Sequence, residues 1–422
     1  MGNFQARHSD PEFLSACRKF SPDELKNLKS LFVSLASQSR SHGQFIIASV
    51  LQAYYGIHGA LGARMFDLVT RLRKDQMLTY EDLIIAKGIY EKGCRDEIEN
   101  FMYQLVDLTG DGVVDRSELE AVIISALETV LGPKDAIVGF DLPEDSVQAF
   151  INSVKFTQGS EGDCNPHVSF EDFKRWCTQI PSIKKFLAGL LTPLGSGNQG
   201  CQVPQLVHSE NINPSLLIMR KEYAWHIAGA LQHQEAHEWV LLYHSSFNGL
   251  SFNTFMGNSA VGRGPSILLV KDKDGYIYGG FASQPWERHS DFYGDMKSFL
   301  FTLSPRAAIY RPTGANSNMQ WCATSFTSTN IPNGLGFGGQ VNHFGLFLSG
   351  AFDQGQSFKC VTYDSPCLSK NANFYPETIE CWGVVVEGNE QETASVMKGT
   401  VLNRFKEDHN MLKMMGMANA SE

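Results

Sequence analysis

The sequence predicts an α+β protein in which an all-α half is followed by an antiparallel β half. Apolar residues repeat with a helical period over about the first 180 residues, whereas short apolar runs separated by turn residues fill about the next 200. The chain has 422 residues, of which 43% are hydrophobic and 19% charged. This composition is typical of a folded chain with more than one domain.

Changes in pattern divide the chain into five segments. A cluster of glycine and proline between Pro193 and Gly200 indicates a linker between the two halves. The predicted segments are an N-terminal arm (1–20), a helical domain (21–180), a linker (181–206), a sheet domain (207–387) and a closing amphipathic helix with its tail (388–422).

Charge, cysteine usage and hydropathy exclude several classes of protein. The net charge of −10 disfavours binding to nucleic acid, which requires a basic surface. The nine cysteines are scattered without a CxxC pair, so they indicate reduced thiols and neither a disulfide framework nor a zinc site. Because the chain has no run of 18 apolar residues and no secretory signal, we expect a cytoplasmic protein.

The helical half begins with a clear N-terminal signal. Ser21 is suited to cap a helix, Pro22 to occupy its first position and Glu24 to close a capping box. Further amphipathic runs predict helices over Phe45–Tyr54, Gly62–Leu72, Tyr80–Tyr90, Asp96–Val106, Glu118–Leu131, Ser146–Lys155 and Phe170–Thr178.

Residues 107–118 match the twelve-residue calcium loop of an EF-hand. Calcium prefers six to eight hard oxygen ligands, and Gly112 supplies the turn at position six. The predicted ligands are Asp107, Thr109, Asp111, the carbonyl of Val113, Asp115 through water, and bidentate Glu118. Thr109 replaces the usual carboxylate, which favours a weaker, sensor-range site for Ca²⁺. Val114 at position eight is expected to pair with a sister hand.

Similar but degenerate patterns surround this loop. One would begin at Arg71, whose positive charge opposes cation binding, and would end at Asp82. Another places Glu161, Asp163 and Asn165 at ligand positions, but Pro166 replaces glycine and Asp172 replaces the bidentate glutamate. Residues Ser39–Ile47 suggest a fourth hand. We therefore predict four hands in two pairs, with one competent loop.

The second half consists of predicted strands and ends in a predicted helix. The strands are expected at Trp239–Tyr243, Ser266–Val270, Tyr276–Ala282, Phe299–Leu303, His343–Leu348 and Trp382–Val386. Apolar residues at helical spacing between Glu390 and Met417, several of them methionines, predict a closing helix suited to contact a partner.

The order of motifs in this half resembles the TLDc domain over about Val207–Glu387. The motifs are Trp239–Ser246, Gly249–Phe255, Gly264–Asp272, Gly275–Ser283, Phe299–Leu303, Gly338–Gly339, His343–Leu348 and Glu380–Val384. Together with the EF-hands and the Met-Gly-Asn start, they resemble the EF-hand-bearing branch of TLDc proteins. That resemblance implies association with lysosomal or vacuolar membranes, a link to TOR signalling, binding to the vacuolar-type proton-pumping ATPase (V-ATPase) and protection against oxidative stress.

The N-terminus suggests a lipid anchor. Removal of Met1 would expose Gly2 for N-myristoylation, although Ala6 stands where the motif prefers serine or threonine. A single myristoyl chain binds a membrane only weakly, so attachment would be reversible or assisted by a protein partner.

Three other motifs have weaker functional interpretations. Gly334–Gly339 matches GxGxxG, but tight turns explain it better than nucleotide binding, because no helix is expected after it. His233 and His237 are one helical turn apart, yet a metal site would need a third ligand. Cys322 would be an oxidisable thiol if it lay beside His343, although buried cysteines are usually inert.

The leading hypothesis is a non-enzymatic, calcium-binding adaptor with no small-molecule substrate. One alternative is an oxidative-stress protein with thiol or redox chemistry. Another is a constitutive scaffold with a structural calcium site.

Overall fold

A computed structural model describes residues 10–39, 44–132, 143–157, 166–192, 200, 202–259, 264–328 and 330–386. Contacts within the chain divide it into two compact units, Met1–Gln202 and Val203–Glu422. Gly2 and the predicted closing helix at 388–422 lie outside the described residues.

Within its described residues, the first unit is helical apart from one two-stranded ladder and two isolated β-bridges. Its helices are α1 (Pro11–Cys17), α2 (Pro22–Gln38), α3 (Ala48–Tyr55), α4 (Gly59–Val69), α5 (Tyr80–Tyr90), α6 (Arg95–Val106), α7 (Arg116–Leu131), α8 (Glu144–Ile151), α9 (Phe170–Gln179) and α10 (Pro181–Gly189). Its strands are β1 (Val114–Asp115) and β2 (His167–Val168).

Two antiparallel contacts join the loops of this unit in pairs. Val114 pairs with Val168 in the ladder of β1 and β2, which confirms the predicted pairing of Val114 with a sister loop. Ile46 and Leu78 exchange backbone hydrogen bonds of 2.9 and 3.0 Å in the same manner. Leu78 and Val114 both occupy position eight of their predicted loops, so each of these loops is joined to a second segment by an antiparallel backbone contact.

Two helices lie where the sequence predicted an arm and a linker. Helix α1 falls within the predicted arm 1–20, and its Ala16 packs with Ile84 and Ile85 of α5. Helix α10 falls within the predicted linker 181–206, which was placed too early. The Tyr90 hydroxyl accepts a 2.6 Å hydrogen bond from the backbone N–H of Leu190, so the segment after α10 belongs to the helical unit.

Within its described residues, the second unit contains two sheets and three α-helices. Its strands are β3 (Gln205–Val207), β4 (Glu238–His244), β5 (Ser266–Asp272), β6 (Ile277–Ala282), β7 (Phe299–Ser304), β8 (Ala308–Tyr310), β9 (Gln320–Ala323), β10 (Gly334–Gln340), β11 (His343–Ser349), β12 (Gly355–Gln356), β13 (Asn373–Phe374) and β14 (Pro376–Val385). The helices are α11 (Lys221–Ala228), α12 (Ser245–Asn248) and α13 (Phe252–Ser259).

The two sheets differ in size and in strand order. One sheet has the order β3-β4-β14-β5-β6-β7-β8, and the other has the order β13-β12-β11-β10-β9. The pairs are antiparallel except for β3 with β4, which are parallel. Because β14 pairs with both β4 and β5, the last described strand lies in the middle of the larger sheet.

The larger sheet is covered on both faces. Leu268 and Val270 of β5 pack in a cluster with Leu335 and Leu346 of the smaller sheet. The alternate residues of β5 pack in a second cluster with residues of α11. Burial of both faces explains why β5 is a continuous apolar run with no polar alternation.

The GxGxxG sequence lies in a strand that the sequence analysis did not predict. Gly334–Gln340 forms β10, paired with β9 on one side and β11 on the other. A β-carbon on Gly334 would lie 2.1 Å from the carbonyl oxygen of Leu348 on β11. Close approach of neighbouring strands therefore accounts for this glycine.

Candidate functional site

The loop 107–118 is held between two helices, as the sequence predicted. Helix α6 ends at Val106, and Asp107 is its C-terminal cap. Helix α7 begins at Arg116, and Asp115 caps it by accepting a 2.8 Å hydrogen bond from the backbone N–H of Glu118. Both flanking helices thus fix the ends of the loop.

Asp107 organises the first half of the loop. Its side chain is buried and accepts hydrogen bonds from the backbone N–H groups of Gly110 at 2.8 Å and Gly112 at 3.1 Å. The glycines have φ values of +80° and +87°, a region that side-chain-bearing residues rarely adopt. The predicted turn at Gly112 is confirmed.

Glu118 bridges the two ends of the loop. Its buried carboxylate accepts a 2.7 Å bond from the N–H of Thr109 and a 3.1 Å bond from the N–H of Asp115. The carboxylates at positions one and twelve are therefore both sequestered by backbone N–H groups.

The other predicted ligands lie nearer to solvent. Asp111 accepts a 2.8 Å bond from the N–H of Val113, which is itself 40% exposed. The cap made with the N–H of Glu118 lowers the pKa of the Asp115 carboxyl. Asp115 is therefore ionised at neutral pH, as a calcium ligand must be.

Arg64 is a residue of this site that sequence reasoning missed. It lies on α4 and is buried, and its guanidinium donates to the carbonyl of Gln104 at 2.9 Å and to Asp107 at 3.2 Å. Arg64 precedes Asp107 by 43 positions. No local pattern in the sequence could have linked the two residues, because only packing of α4 beside the loop brings them together.

The loop fits calcium in the type of its oxygen donors and in their order. Within the described residues, however, no three acidic, histidine or cysteine side chains have converged to hold one ion. The carboxylates of Asp107 and Glu118 are instead occupied by N–H groups of the loop. Binding of calcium would therefore require these carboxylates to exchange N–H donors for the ion.

Glu118 and Asp107 differ in whether a counter-ion accompanies the carboxylate. Asp107 has Arg64 as a counter-ion, but no lysine, arginine or histidine within the described ranges forms an ion pair with Glu118. Burial of a carboxylate without a cation is unfavourable. A bound cation would supply the charge that is missing.

The loop that ends at Asp172 is engaged differently. Asp172 lies 2.9 Å from the guanidinium of Arg175 and accepts a 2.6 Å bond from the hydroxyl of Ser169, which lowers the pKa of the carboxyl. The remaining predicted positions of this loop, Glu161, Asp163 and Asn165, lie outside the described residues.

Cys322 does not lie beside His343. It pairs with Leu335 in the ladder of β9 and β10, whereas His343 pairs with Gln340 at the other end of β10. The Cys322 thiol is buried 3.7 Å from the sulfur of Met256, and burial raises its pKa to about 12. The oxidisable-thiol interpretation of Cys322 therefore loses its geometric basis.

The two histidines near the start of the sheet unit lie close together. His233 belongs to a short 3₁₀ helix, and its ring centroid is 5.1 Å from that of His237. Within the described part of the chain, no third ligand accompanies them.

A buried His–Glu pair lies between β4 and β14. Glu380 accepts hydrogen bonds from the N–H of Met219 at 3.1 Å and from the indole of Trp382 at 2.8 Å. The Nε2 of His244 is 3.5 Å from Glu380, and its Nδ1 accepts from the N–H of Ser246. Because Glu380 accepts from the N–H of Met219, the buried pair ties the segment before α11 to β14.

The family model of the TLDc domain matches residues 213–385. Residues 213–385 form a TLDc domain. The resemblance that the sequence motifs indicated is therefore confirmed over this range, and the buried pair of His244 and Glu380 belongs to the TLDc domain.

Relatives extend the similarity beyond the TLDc domain. MTOR-associated protein MEAK7 of Gallus gallus is 27% identical over 459 aligned residues, which cover 96% of this chain and 94% of the relative. The protein of the same name from Homo sapiens is 27% identical and covers 100% of this chain and 98% of the relative. Oxidation resistance protein 1 of Rattus norvegicus is 31% identical over 144 residues, or 34% of this chain and 16% of the relative.

No helix within the described ranges combines the length and the apolar character needed to cross a membrane.

Proposed function

We propose that this protein is a calcium-binding, non-enzymatic adaptor that acts in TOR signalling. In this proposal it binds the V-ATPase at lysosomal or vacuolar membranes. The observation that carries the calcium assignment is the buried carboxylate of Glu118, which closes a complete EF-hand loop and has no ion-pair partner among the described residues.

The regulatory role is supported by similarity over nearly the whole chain. The two relatives from Gallus gallus and Homo sapiens align over more than nine-tenths of this chain, and each is named an MTOR-associated protein. The V-ATPase is proposed as the partner because the resemblance to TLDc proteins implies it. The buried thiol of Cys322 favours a binding role over catalysis.

Calcium would act by favouring one arrangement of the loop. A ligand shifts a conformational equilibrium only by its difference in affinity for the two states. In the described arrangement Glu118 is held by the N–H groups of Thr109 and Asp115. Binding of calcium would release those groups. The change would pass to α6, which ends at the loop, and to α7, which begins there.

Affinity capture from a membrane lysate tests this proposal. The full-length chain is used as bait with calcium or with chelator, and captured V-ATPase subunits are quantified by mass spectrometry. We expect the recovery of these subunits to change with calcium for the natural chain and to be independent of calcium for Glu118→Gln. Glu128→Gln, an exposed position on the same helix, is the charge-matched control.

Each outcome has a defined meaning. Recovery that is indifferent to calcium in the natural chain would favour a constitutive scaffold with a structural calcium site. Capture without V-ATPase subunits in either condition would reject the proposed partner.

Membrane association is proposed to use a myristoyl group on Gly2. Intact-mass measurement on the chain purified from eukaryotic cells tests the modification directly. We expect Gly2→Ala to lack the acyl mass and to lose most of the membrane-bound fraction, because a single acyl chain contributes much of a weak attachment. An unmodified natural chain would reject this part of the proposal.

A role in oxidative defence is the second candidate function. The similarity to oxidation resistance protein 1 favours it. If it is exerted through thiol chemistry, replacement of the cysteines by serine must abolish peroxide consumption by the purified chain.

A further inference from the structure

The loop 71–82 retains the backbone turn of a calcium loop although its sequence has lost the glycine. Gln76 occupies position six and has φ of +52°, in the same left-handed region as Gly112 at +87°. Leu78 at position eight pairs with Ile46, as Val114 pairs with Val168. The two loops therefore share the turn at position six and the pairing at position eight, whereas position one differs, with φ of +57° at Arg71 and −69° at Asp107.

The guanidinium of Arg73 lies among the groups that would face a metal ion. Its Nη2 is 3.2 Å from a carboxylate oxygen of Asp82, which ends the loop at position twelve. Its Nε is 3.5 Å from the carboxylate of Asp75 at position five. Nη2 also donates to the backbone carbonyl of Met77 at position seven.

These three contacts involve the positions that supply the cation ligands of an EF-hand loop. We propose that Arg73 is a built-in cation that replaces calcium in the loop 71–82. The loop is held closed by its own side chain and does not respond to calcium.

Burial supports a cation-binding role for this arrangement. The side chain of Asp82 is 4% exposed, so its charge requires a nearby counter-ion. The Nε of Arg73 is also buried and makes no hydrogen bond within the described residues, and it lies 3.5 Å from the carboxylate of Asp75. Asp82 further accepts from the N–H and hydroxyl of Thr79, which fixes the carboxylate at the start of α5.

Arg71 provides a natural contrast within the same loop. The sequence predicted that its charge would oppose a cation, but its guanidinium pairs outside the loop with Asp10 at 2.7 Å and Glu12 at 2.6 Å. The hydrogen bond from Arg71 lowers the pKa of the Asp10 carboxyl. The guanidinium that contacts ligand positions of the loop is therefore that of Arg73 and not that of Arg71.

The consequence concerns which loops respond to calcium. If Arg73 fills the loop 71–82, the pair formed by Ile46 and Leu78 remains closed in the absence of calcium. A calcium signal would then be received through the loop 107–118 alone among the described loops. The assignment of Arg73 does not depend on the proposed function, whereas this consequence rests on the calcium binding proposed for the loop 107–118.

The first test compares thermal stability in chelator. The full chain carries Glu118→Gln so that the loop 107–118 cannot contribute, and Arg73→Gln or Arg71→Gln is added. We expect Arg73→Gln to lower the Tm of the helical unit by roughly 3 to 6 °C, since a buried carboxylate loses its counter-ion. Arg71→Gln, which removes a pair with more exposed partners, should change the Tm by about 1 °C or less. Equal shifts for the two variants would overturn the proposal.

The second test asks whether the same space accepts a metal ion. In the Glu118→Gln background, Arg73→Asp replaces the guanidinium with a carboxylate at ligand position three. We expect isothermal titration with calcium chloride to show binding at least about tenfold tighter than in the Glu118→Gln parent. Calcium affinity equal to that of the parent would show that the space occupied by the guanidinium of Arg73 does not accept a metal ion, and it would reject the proposal.

Discussion

The acidic residues that end three equivalent loops differ in their charge partners. Asp82 lies 3.2 Å from Arg73, and Asp172 lies 2.9 Å from Arg175. Glu118 forms no ion pair with any residue in the described ranges. The loop with the complete set of calcium ligands is thus also the loop whose terminal carboxylate remains without a cation. The spacing of the sequence predicted the calcium ligands of the loop 107–118. The structure adds that Asp82 and Asp172 have ion-pair partners, a difference from Glu118 that the sequence did not predict.

Arg64 is expected to weaken calcium binding at the loop 107–118. Calcium must bind close to a guanidinium that already neutralises Asp107 at 3.2 Å. Removal of that positive charge by Arg64→Gln should tighten calcium binding about fivefold, because like charges repel through the protein interior. Isothermal titration with calcium at fixed ionic strength measures the change.

The same substitution should act in the opposite direction on stability. In chelator, Arg64→Gln leaves the buried Asp107 without its counter-ion and should lower the free energy of unfolding by about 2 to 4 kcal/mol. Weaker calcium binding in Arg64→Gln would contradict repulsion and would show that Arg64 instead pre-orders the ligands. Arg116→Gln, which removes an exposed guanidinium near the start of α7, is the control for net charge.

Cys322 should be chemically inert in the folded protein. Burial raises its pKa to about 12, so the reactive thiolate is rare at neutral pH. After brief exposure to iodoacetamide at neutral pH, peptide mapping should find alkylation at the exposed Cys94 and almost none at Cys322. The thiolate fraction of Cys322 increases with pH, so labelling should rise only in strongly alkaline solution. Labelling of Cys322 as rapid as that of Cys94 at neutral pH would restore the thiol hypothesis.

At the level of secondary structure, helices with explicit capping signals were the best predicted. Ser21 accepts from the N–H of Glu24 at 3.2 Å, and Glu24 accepts in return from the N–H of Ser21 at 2.7 Å. This confirms the predicted start of α2, and the predicted bounds of α5 match Tyr80–Tyr90. Local hydrogen bonds determine such boundaries, so a local sequence pattern is sufficient to find them.

Elements that depend on distant contacts were missed. Strand β10 contains four glycines in the segment Gly334–Gly339. Such a glycine-rich sequence is usually predicted to form turns. Only the pairing of β10 with β9 and β11 identifies it as a strand: Gly336 pairs with Trp321 on β9 and with Phe347 on β11. A cluster of glycine and proline predicted a linker that also took in α10, whose contact with α5, from the Tyr90 hydroxyl to the carbonyl of Leu187, spans 97 positions.

The capping box of α2 gives a prediction for a single element. Ser21→Ala removes the side-chain acceptor for the N–H of Glu24 and should destabilise the helical unit by about 1 kcal/mol. Thermal unfolding followed by circular dichroism should show a Tm lower by roughly 2 to 4 °C. Ser30→Ala, in the exposed middle of the same helix, should leave the Tm unchanged or slightly higher. Equal losses for Ser21→Ala and Ser30→Ala would contradict the assigned cap.

For the whole molecule, the predicted calcium loop belongs to one of the two units. The TLDc unit has a sheet buried on both faces by two apolar clusters. Both units bury carboxylates, Asp107 and Glu118 in the helical unit and Asp272 and Glu380 in the TLDc unit. Because the proposed calcium ligands lie in the helical unit, calcium should stabilise that unit more than the TLDc unit.

Differential scanning calorimetry of the full chain tests this difference. At a free calcium concentration about 100 times the Kd, binding to the folded loop adds about 2.7 kcal/mol to the free energy of unfolding. For a unit of about 200 residues, this corresponds to a rise in Tm of roughly 5 to 10 °C. We expect the transition of the helical unit to rise with calcium and the transition of the TLDc unit to remain fixed.

Tryptophan fluorescence assigns the two transitions, because Trp176 is the one tryptophan among residues 1–202 and the other five lie in the second unit. The calcium-dependent rise should disappear in Glu118→Gln and persist in Glu128→Gln. A rise that persists in Glu118→Gln would place the stabilising ion outside the loop 107–118. Equal rises in both transitions would mean that the two units unfold as one cooperative block, so that calcium stabilises the TLDc domain through the helical unit.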